Sequence, residues 1–181
     1  MAAGNEENNQ EKNEESIDIL FDLARNEYDN ETNRKRDLET RAGILIALVG
    51  ALIGLFFTVI DISIVSKGKT VVETVIYSIL ALSYLIPLST GFLSLKSFIN
   101  TIITREYTRM DVNGVTDQIA ALEKQDLSFR LATSYKNAVI NNEKLNDEKA
   151  SYFNDGIDKL FNTFIAFLLI YIVHIILKQL V

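Results

Sequence analysis

The sequence predicts an all-α integral membrane protein with three transmembrane helices and cytoplasmic helical stalk regions. Of the 181 residues, 48% are hydrophobic although 23% are charged, and the mean hydropathy is +0.14. Those values fit together only if the apolar residues are gathered in blocks. The blocks cover residues 42–65, 71–98 and 157–177, each long enough for a hydrocarbon core of ~30 Å, which takes about 20 helical residues. Their apolar side chains do not alternate with polar ones by face, as those of a soluble core helix would.

Composition also excludes several chemistries. There is no cysteine and one histidine, so disulfides, thiolate metal sites, cysteine nucleophiles and His-rich metal clusters are out. A net charge of -6 opposes nonspecific nucleic-acid binding by the whole chain. No Gly-rich phosphate loop, HExxH or GxSxG stands in the sequence. The expectation is a chain that is not an enzyme and uses no cofactor or metal.

Taken in order, residues 1–15 are rich in Asn and Glu and read as a disordered acidic tail without a signal-peptide pattern. Residues 16–41 read as a cytoplasmic helix, with Ser16 as N-cap and Ile17, Leu20, Phe21, Ala24 and Tyr28 at helical spacing. No Pro or Gly separates it from the first span, so the two read as one continuous helix. Residues 42–100 form a transmembrane hairpin of helices 42–65 and 71–99. The first carries Gly43, Ala47, Gly50, Ala51 and Gly54, a GxxxG pattern on a face of small residues that admits close helix approach, within the chain or between subunits. Ser66–Lys69 is the turn. The second carries Pro87, which removes a backbone hydrogen bond and predicts a kink. Residues 101–156 read as a cytoplasmic region of one or two helices after a turn near 111–114. Residues 157–178 form the third span, with Gly156 as a hinge before it.

Lys and Arg fix the orientation. Arg34, Lys35, Arg36, Arg41, Arg105, Arg109, Lys149 and Lys159 flank one side, and only Lys67, Lys69 and Lys178 the other. The basic side is the cytoplasm, so the N-terminus lies inside and the C-terminus outside.

Within the second span, Ser83, Pro87, Thr90, Ser94 and Ser97 recur at steps of four and three, on one face. Thr101, Thr104 and Thr108 continue the series. Either the hydroxyls bond their own helix and pack on a neighbour, or they line a water-filled path in an oligomer. Asp61, Glu73 and His174 fall at the outer ends of the spans, where they mark the boundary or form an outer mouth. Tyr135, Asn142, Asn146 and Lys149 share a helical face. With Arg105 and Arg109 they are candidates for contact with a ligand or partner, or form a plain helix–helix contact.

Two stretches carry a resemblance. The run Leu38-Glu-Thr-Arg-Ala-Gly-Ile-Leu-Ile-Ala-Leu-Val-Gly-Ala-Leu-Ile-Gly54 resembles the first membrane helix of small effectors in bacterial antiphage systems, the SLATT-type and Pycsar-type transmembrane effector domains. The stretch from Tyr135 to Phe153 resembles the helix that leads such proteins into their last span. The resemblance covers about residues 17–178 and is mostly architectural. It implies a multi-pass protein of the bacterial inner membrane that oligomerises, as about a tetramer by analogy, into a gated pore or ion channel. It further implies control by a nucleotide or oligonucleotide signal from a nucleotidyltransferase partner, or by a partner protein. No separate nucleotide-binding domain is present. The alternative is a non-conducting membrane scaffold or sensor that recruits a soluble partner through its cytoplasmic helices.

Overall fold

The computed structural model describes residues 3–59, 68, 70–103, 106–110 and 122–179, with side chains described from residue 15 onward. Four helices account for nearly all of them: α1 (Ala3–Val59), α2 (Val71–Ser83), α3 (Leu85–Ile102) and α4 (Lys124–Gln179). No strand occurs among the described residues. Three stretches are long and apolar enough to cross a membrane: Glu15–Thr58, Val71–Ile102 and Lys124–Gln179.

The helices follow the expected segments with instructive differences. α1 begins at Ala3, so it includes residues 3–15, which composition alone marks as a tail. Glu, Gln, Lys and Ala are good helix formers there, and nothing breaks the helix after Gly4. It then runs unbroken through residues 16–41 into the first apolar block. Its described part ends at Val59, so residues 60–65, most of the turn and Asp61 lie outside the described residues. α2 starts from a capping box. Glu73 N–H donates to the Thr70 hydroxyl at 3.2 Å and Thr70 N–H donates to the Glu73 carboxylate at 3.3 Å, which satisfies two end groups reciprocally.

The second span is interrupted at Tyr84, which closes α2 and opens α3. Pro87 explains the place: it has no N–H for the carbonyl of Ser83, and it sits in the first turn of α3, where proline is tolerated. α4 joins the polar helical stretch from Lys124 and the third apolar block in one element that passes through Gly156 without a break. The hinge expected at Gly156 is not there. A Cβ on Gly156 would meet the Phe98 ring at 2.6–2.7 Å, so the glycine is a notch for a neighbouring ring.

The chain divides into two compact units. The first comprises residues 1–37 and 104–148. In it α1 and α4 run parallel: Asp18 meets Lys124, Tyr28 meets Tyr135, and Arg34 meets Asp147. The Arg34 bond to Asp147 is the main reason that its guanidinium holds its proton still more tightly than usual. An open groove of about 470 Å³, lined mainly by Leu20, Leu23, Phe129 and Val139, lies along this pair.

The second unit comprises residues 38–103 and 149–181. Many of its buried positions recur every seven residues. On α1 they are Ala42, Val49 and Phe56; on α2 and α3 they are Tyr77, Tyr84, Gly91 and Phe98, with Leu80, Pro87, Ser94 and Thr101 beside them; on α4 they are Lys149, Gly156 and Thr163. A seven-residue period is the seam of helices packed knobs-into-holes at a shallow angle. Phe98 with Ala42 and Val49 makes one apolar cluster, and Phe56 with Leu80 and Tyr84 another. Away from the seam the apolar surface is bare. Only 17%, 22% and 11% of the most apolar windows of the three long stretches is buried, so the chain alone does not cover them.

Candidate functional site: a polar seam on α3 and α4

Most of the side chains that sequence spacing placed on one face of α3 do share a face, and that face meets α4 of the same chain. Ser94, fully buried, donates from Oγ to the carbonyl of Gly156 at 2.8 Å. Ser97 donates to Asp155 Oδ2 at 2.6 Å and has the Leu93 carbonyl of its own helix at 3.1 Å. Thr90 has Thr163 across the interface at 2.9 Å, and the Ile86 and Pro87 carbonyls on its own helix. Pro87 is buried at the same seam. Ser83 differs, bonding only the Leu80 carbonyl of its own helix among the contacts described. A buried hydroxyl without a partner costs ~1–3 kcal/mol, and these all have one.

Three charged groups anchor one end. Lys149 is 3% exposed, yet its ammonium is fully engaged: Glu39 Oε1 at 2.7 Å, the Thr101 carbonyl at 2.8 Å and the Ile103 carbonyl at 3.3 Å. The two carbonyls belong to the last turn of α3, where a cation also meets the negative end of the helix dipole. One side chain therefore ties α1, α3 and α4 together. Asp155 and Lys159 form an i, i+4 ion pair with Ser97 between them. The Lys159 ammonium and then the Ser97 hydroxyl hold the Asp155 carboxyl below the usual carboxylate range. Ser97 with Lys159 looks like a nucleophile with its base. A lysine paired to a carboxylate has no lone pair to take the serine proton, so the cluster holds a proton rather than activating an oxygen.

At the other end Tyr84 Oη and His174 Nδ1 lie 2.8 Å apart, both buried, against the Phe56, Phe167 and Leu80 cluster. His174, expected at an outer mouth, is thus an enclosed partner of Tyr84. Glu73 serves in the α2 cap.

The first unit contains the other sequence candidates. Tyr135 packs against Phe21 and Tyr28 at 5.9 and 5.4 Å between ring centroids. Asn142 clasps one peptide of the 106–110 segment: Thr108 N–H donates to Oδ1 at 2.9 Å and Nδ2 donates to the Thr108 carbonyl at 3.0 Å. Asn146 donates to the Glu31 carbonyl at 2.8 Å and to its carboxylate at 2.6 Å. The Tyr107 hydroxyl and Asn146 Oδ1 are enclosed without a hydrogen-bond partner. Burial pushes the Tyr107 phenol up, with Thr32 and Asn146 nearby opposing it, and the Lys35 ammonium sits 4.6 Å over its ring. Tyr135, Asn142 and Asn146 thus make helix–helix and helix–segment contacts. Arg109 is exposed, and Arg105 lies outside the described residues.

The glycines on the small-residue face of α1 meet no described neighbour. A Cβ added at Gly43, Gly50 or Gly54 would find no atom within 4 Å, and Ala47 and Ala51 are exposed.

Sequence spacing along α3 missed the α4 half of the seam: Asp155, Thr163 and the carbonyl of Gly156. The seven-residue step from Lys149 to Gly156 to Thr163 was the available signal, hidden because a glycine and a lysine do not read as one stripe with a threonine. Among the described residues no group of His, Asp or Glu could hold a metal ion. Compared with known protein families, curated proteins and solved structures, the chain matches none.

Proposed function

We propose that the chain is a non-enzymatic effector of a bacterial antiphage defence system. In this reading it spans the inner membrane three times, N-terminus in the cytoplasm and C-terminus outside. Several copies, about four, assemble into a gated pore that dissipates the ion balance of the cell when a nucleotide signal or a partner protein engages it. The observation that carries assembly is the bare small-residue face of α1, beside three apolar stretches whose outer surfaces none of the described residues covers. Such a face lets two backbones approach closely in lipid, where dispersion rather than water exclusion drives association. The hydroxyls of the α3–α4 seam lie along the same apolar helices, bonded within the chain. The resemblance supplies the defence setting and the nucleotide signal.

Purification in detergent, sizing and recording in a planar bilayer test this. The expected result is an oligomer with discrete conductance, and loss of membrane potential on expression. A monodisperse monomer that leaves bilayers sealed would reject it. The groove along the first unit favours a second reading, a scaffold that recruits a soluble partner. That reading predicts no conductance, and activity retained when the first unit is moved to an unrelated anchor.

A further inference from the structure

We infer that the groove along the paired α1 and α4 helices of the first unit takes a second copy of this chain, which joins two helix pairs into one parallel four-helix bundle. The inference rests on the assembly proposed above and gives the groove an occupant other than a soluble partner.

The groove follows from the seam beside it. α1 and α4 meet along Asp18, Phe21 and Tyr28 on one helix and Ser128 and Tyr135 on the other. A second series runs one residue before that seam on α1, as Ile17, Leu20, Ala24 and Glu27, and one residue after it on α4, as Phe129, Ala132, Lys136 and Val139. Both series step by three, four and three, the spacing of knobs-into-holes packing. On parallel helices that face each other, one residue back on one and one forward on the other fall on the same side, and every member of both series lines the groove. The opposite flank is mostly polar, with Asp22, Asn26 and Asp29 on α1 and Arg130 and Ser134 on α4. Apolar surface is therefore concentrated at the groove, where Leu20 and Phe129 are 53% and 59% exposed. Each helix of the pair has its own unfilled series, so the pair lacks two neighbours rather than one.

Charge says which neighbours. Glu27 and Lys136 are the ionised groups that line the groove, one on each helix. Both are exposed, and neither joins an ion pair among the described residues. Tyr135 lies against both Phe21 and Tyr28, which sets Lys136 and Glu27 within about a turn of each other along the pair. A two-fold axis along the groove carries α1 of one copy opposite α4 of the other at the same level, so Glu27 of each copy meets Lys136 of the other. The surface is self-complementary: it makes two pairs of opposite charge and none of like charge. Copies inserted in one membrane point the same way, which is the parallel arrangement that this axis requires. A nucleotide would find a single cation there beside a carboxylate, so the groove does not suit the proposed signal.

The two series span about ten residues of each helix, ~15 Å. That is too short to hold two free molecules together in water, where stable interfaces bury about 1,200–2,000 Å². The glycine face of α1 supplies the other contact, and a second contact between chains already joined forms at high effective concentration.

The full-length protein in lipid vesicles tests this, and the absence of native cysteine makes an introduced one an unambiguous reporter. T133C, in the groove, links into dimers with a short bismaleimide, and S134C, on the opposite flank, links at least threefold less. In the T133C background E27K or K136E lowers the dimer yield at least threefold, because each sets like charges against each other. Vesicles holding equal amounts of the E27K and K136E chains, each with T133C, recover the wild-type yield. That recovery requires the two residues to meet between copies, since within either chain the like charges remain. Dimers as abundant from S134C, or a yield indifferent to both reversals and to their mixture, overturn the inference; the pore reading stands if those samples still size as oligomers and conduct. T133C that gives no dimers and resists a monofunctional maleimide marks a groove already covered by another segment or a bound partner, and overturns the inference too. Charge-dependent dimers in protein that carries no current support the pairing and overturn the pore alone. A protein that sizes as a monomer and gives no dimers overturns both.

Discussion

A methyl group at position 156 would stand 2.6–2.7 Å from the edge of the fully buried Phe98 ring, closer than any side chain tolerates. G156A therefore forces ring or helix to move, at about 1–3 kcal/mol for overpacking. Thermal unfolding in detergent should show a lower Tm for G156A and partial recovery in G156A/F98L. Lys149 makes a second prediction at this scale. K149M keeps the aliphatic stem but removes the cation from Glu39 and from two α3 carbonyls. A buried pair broken from one side costs ~3–5 kcal/mol. Glu39 keeps 29% of its side chain exposed, so water offsets part of this and about 2 kcal/mol is expected. E39Q should cost less than K149M, because Lys149 keeps both carbonyls. Equal losses in denaturant titrations would contradict the capping role. These residues also mark what the sequence could not say. A glycine before an apolar block signals a hinge or a close approach equally well, and only the Phe98 ring decides. Lys149 reads as a boundary lysine because nothing local reveals that its partners lie on two other helices.

At the scale of elements, α1 carries two faces with different fates. The heptad face of Ala42, Val49 and Phe56 is buried, and the face of Gly43, Gly50 and Gly54 is bare. At Gly50 and Gly54 an added Cβ meets no described atom within 4 Å, so G50L and G54L begin their side chains in open space. Each should leave folding unchanged within ~0.5 kcal/mol while shifting the particle to a smaller size on a detergent column. Retention of the large species would remove this face from the assembly. In the first unit, pairing of α1 with α4 should respond to pH at both extremes. The Lys124 bond is the main reason Asp18 sits below its ordinary 3.8. A depressed carboxylate adds stability above the unfolded value, lost as pH falls through the folded one. Amide exchange in residues 16–30 should therefore accelerate in acid, and less so in D18N. Tyr107 has the opposite sign: its phenol is raised above 10.0 by burial. Its contribution is intact below pH 10 and is lost as pH rises through the folded value. Phenolate absorbance should appear later in the native protein than in the unfolded chain. The helices were legible because their apolar blocks are long and uninterrupted. The break at Tyr84 was legible only as a proline effect, since proline marks the damage three residues before itself.

For the whole molecule, the three apolar blocks were plain in the sequence, and three helical stretches long and apolar enough to cross a membrane are observed. In the second unit Glu39 meets Lys149 and Phe56 meets Phe167. α1 and α4 therefore run the same way there too, as the first and third of three spans must. Sidedness is open to direct measurement because the chain has no cysteine. Single cysteines at positions 30 and 144 should react with membrane-impermeant maleimide only after cells are opened, and one at position 179 in intact cells. The reverse pattern would invert the topology.

Ser97 and Thr90 of the seam are doubly provided for, and this bears on how the protein is made. α3 leaves the ribosome well before α4, so in the proposed membrane setting it must enter lipid without its eventual neighbour. Ser97, Thr101 and Thr90 each have a carbonyl one turn back on their own helix at 3.1 Å. Those local bonds shelter the polar groups during insertion, and the late-arriving helix then recruits Ser97 and Thr90 as neighbours. The hairpin can wait, chemically quiet, until synthesis of the last third is complete.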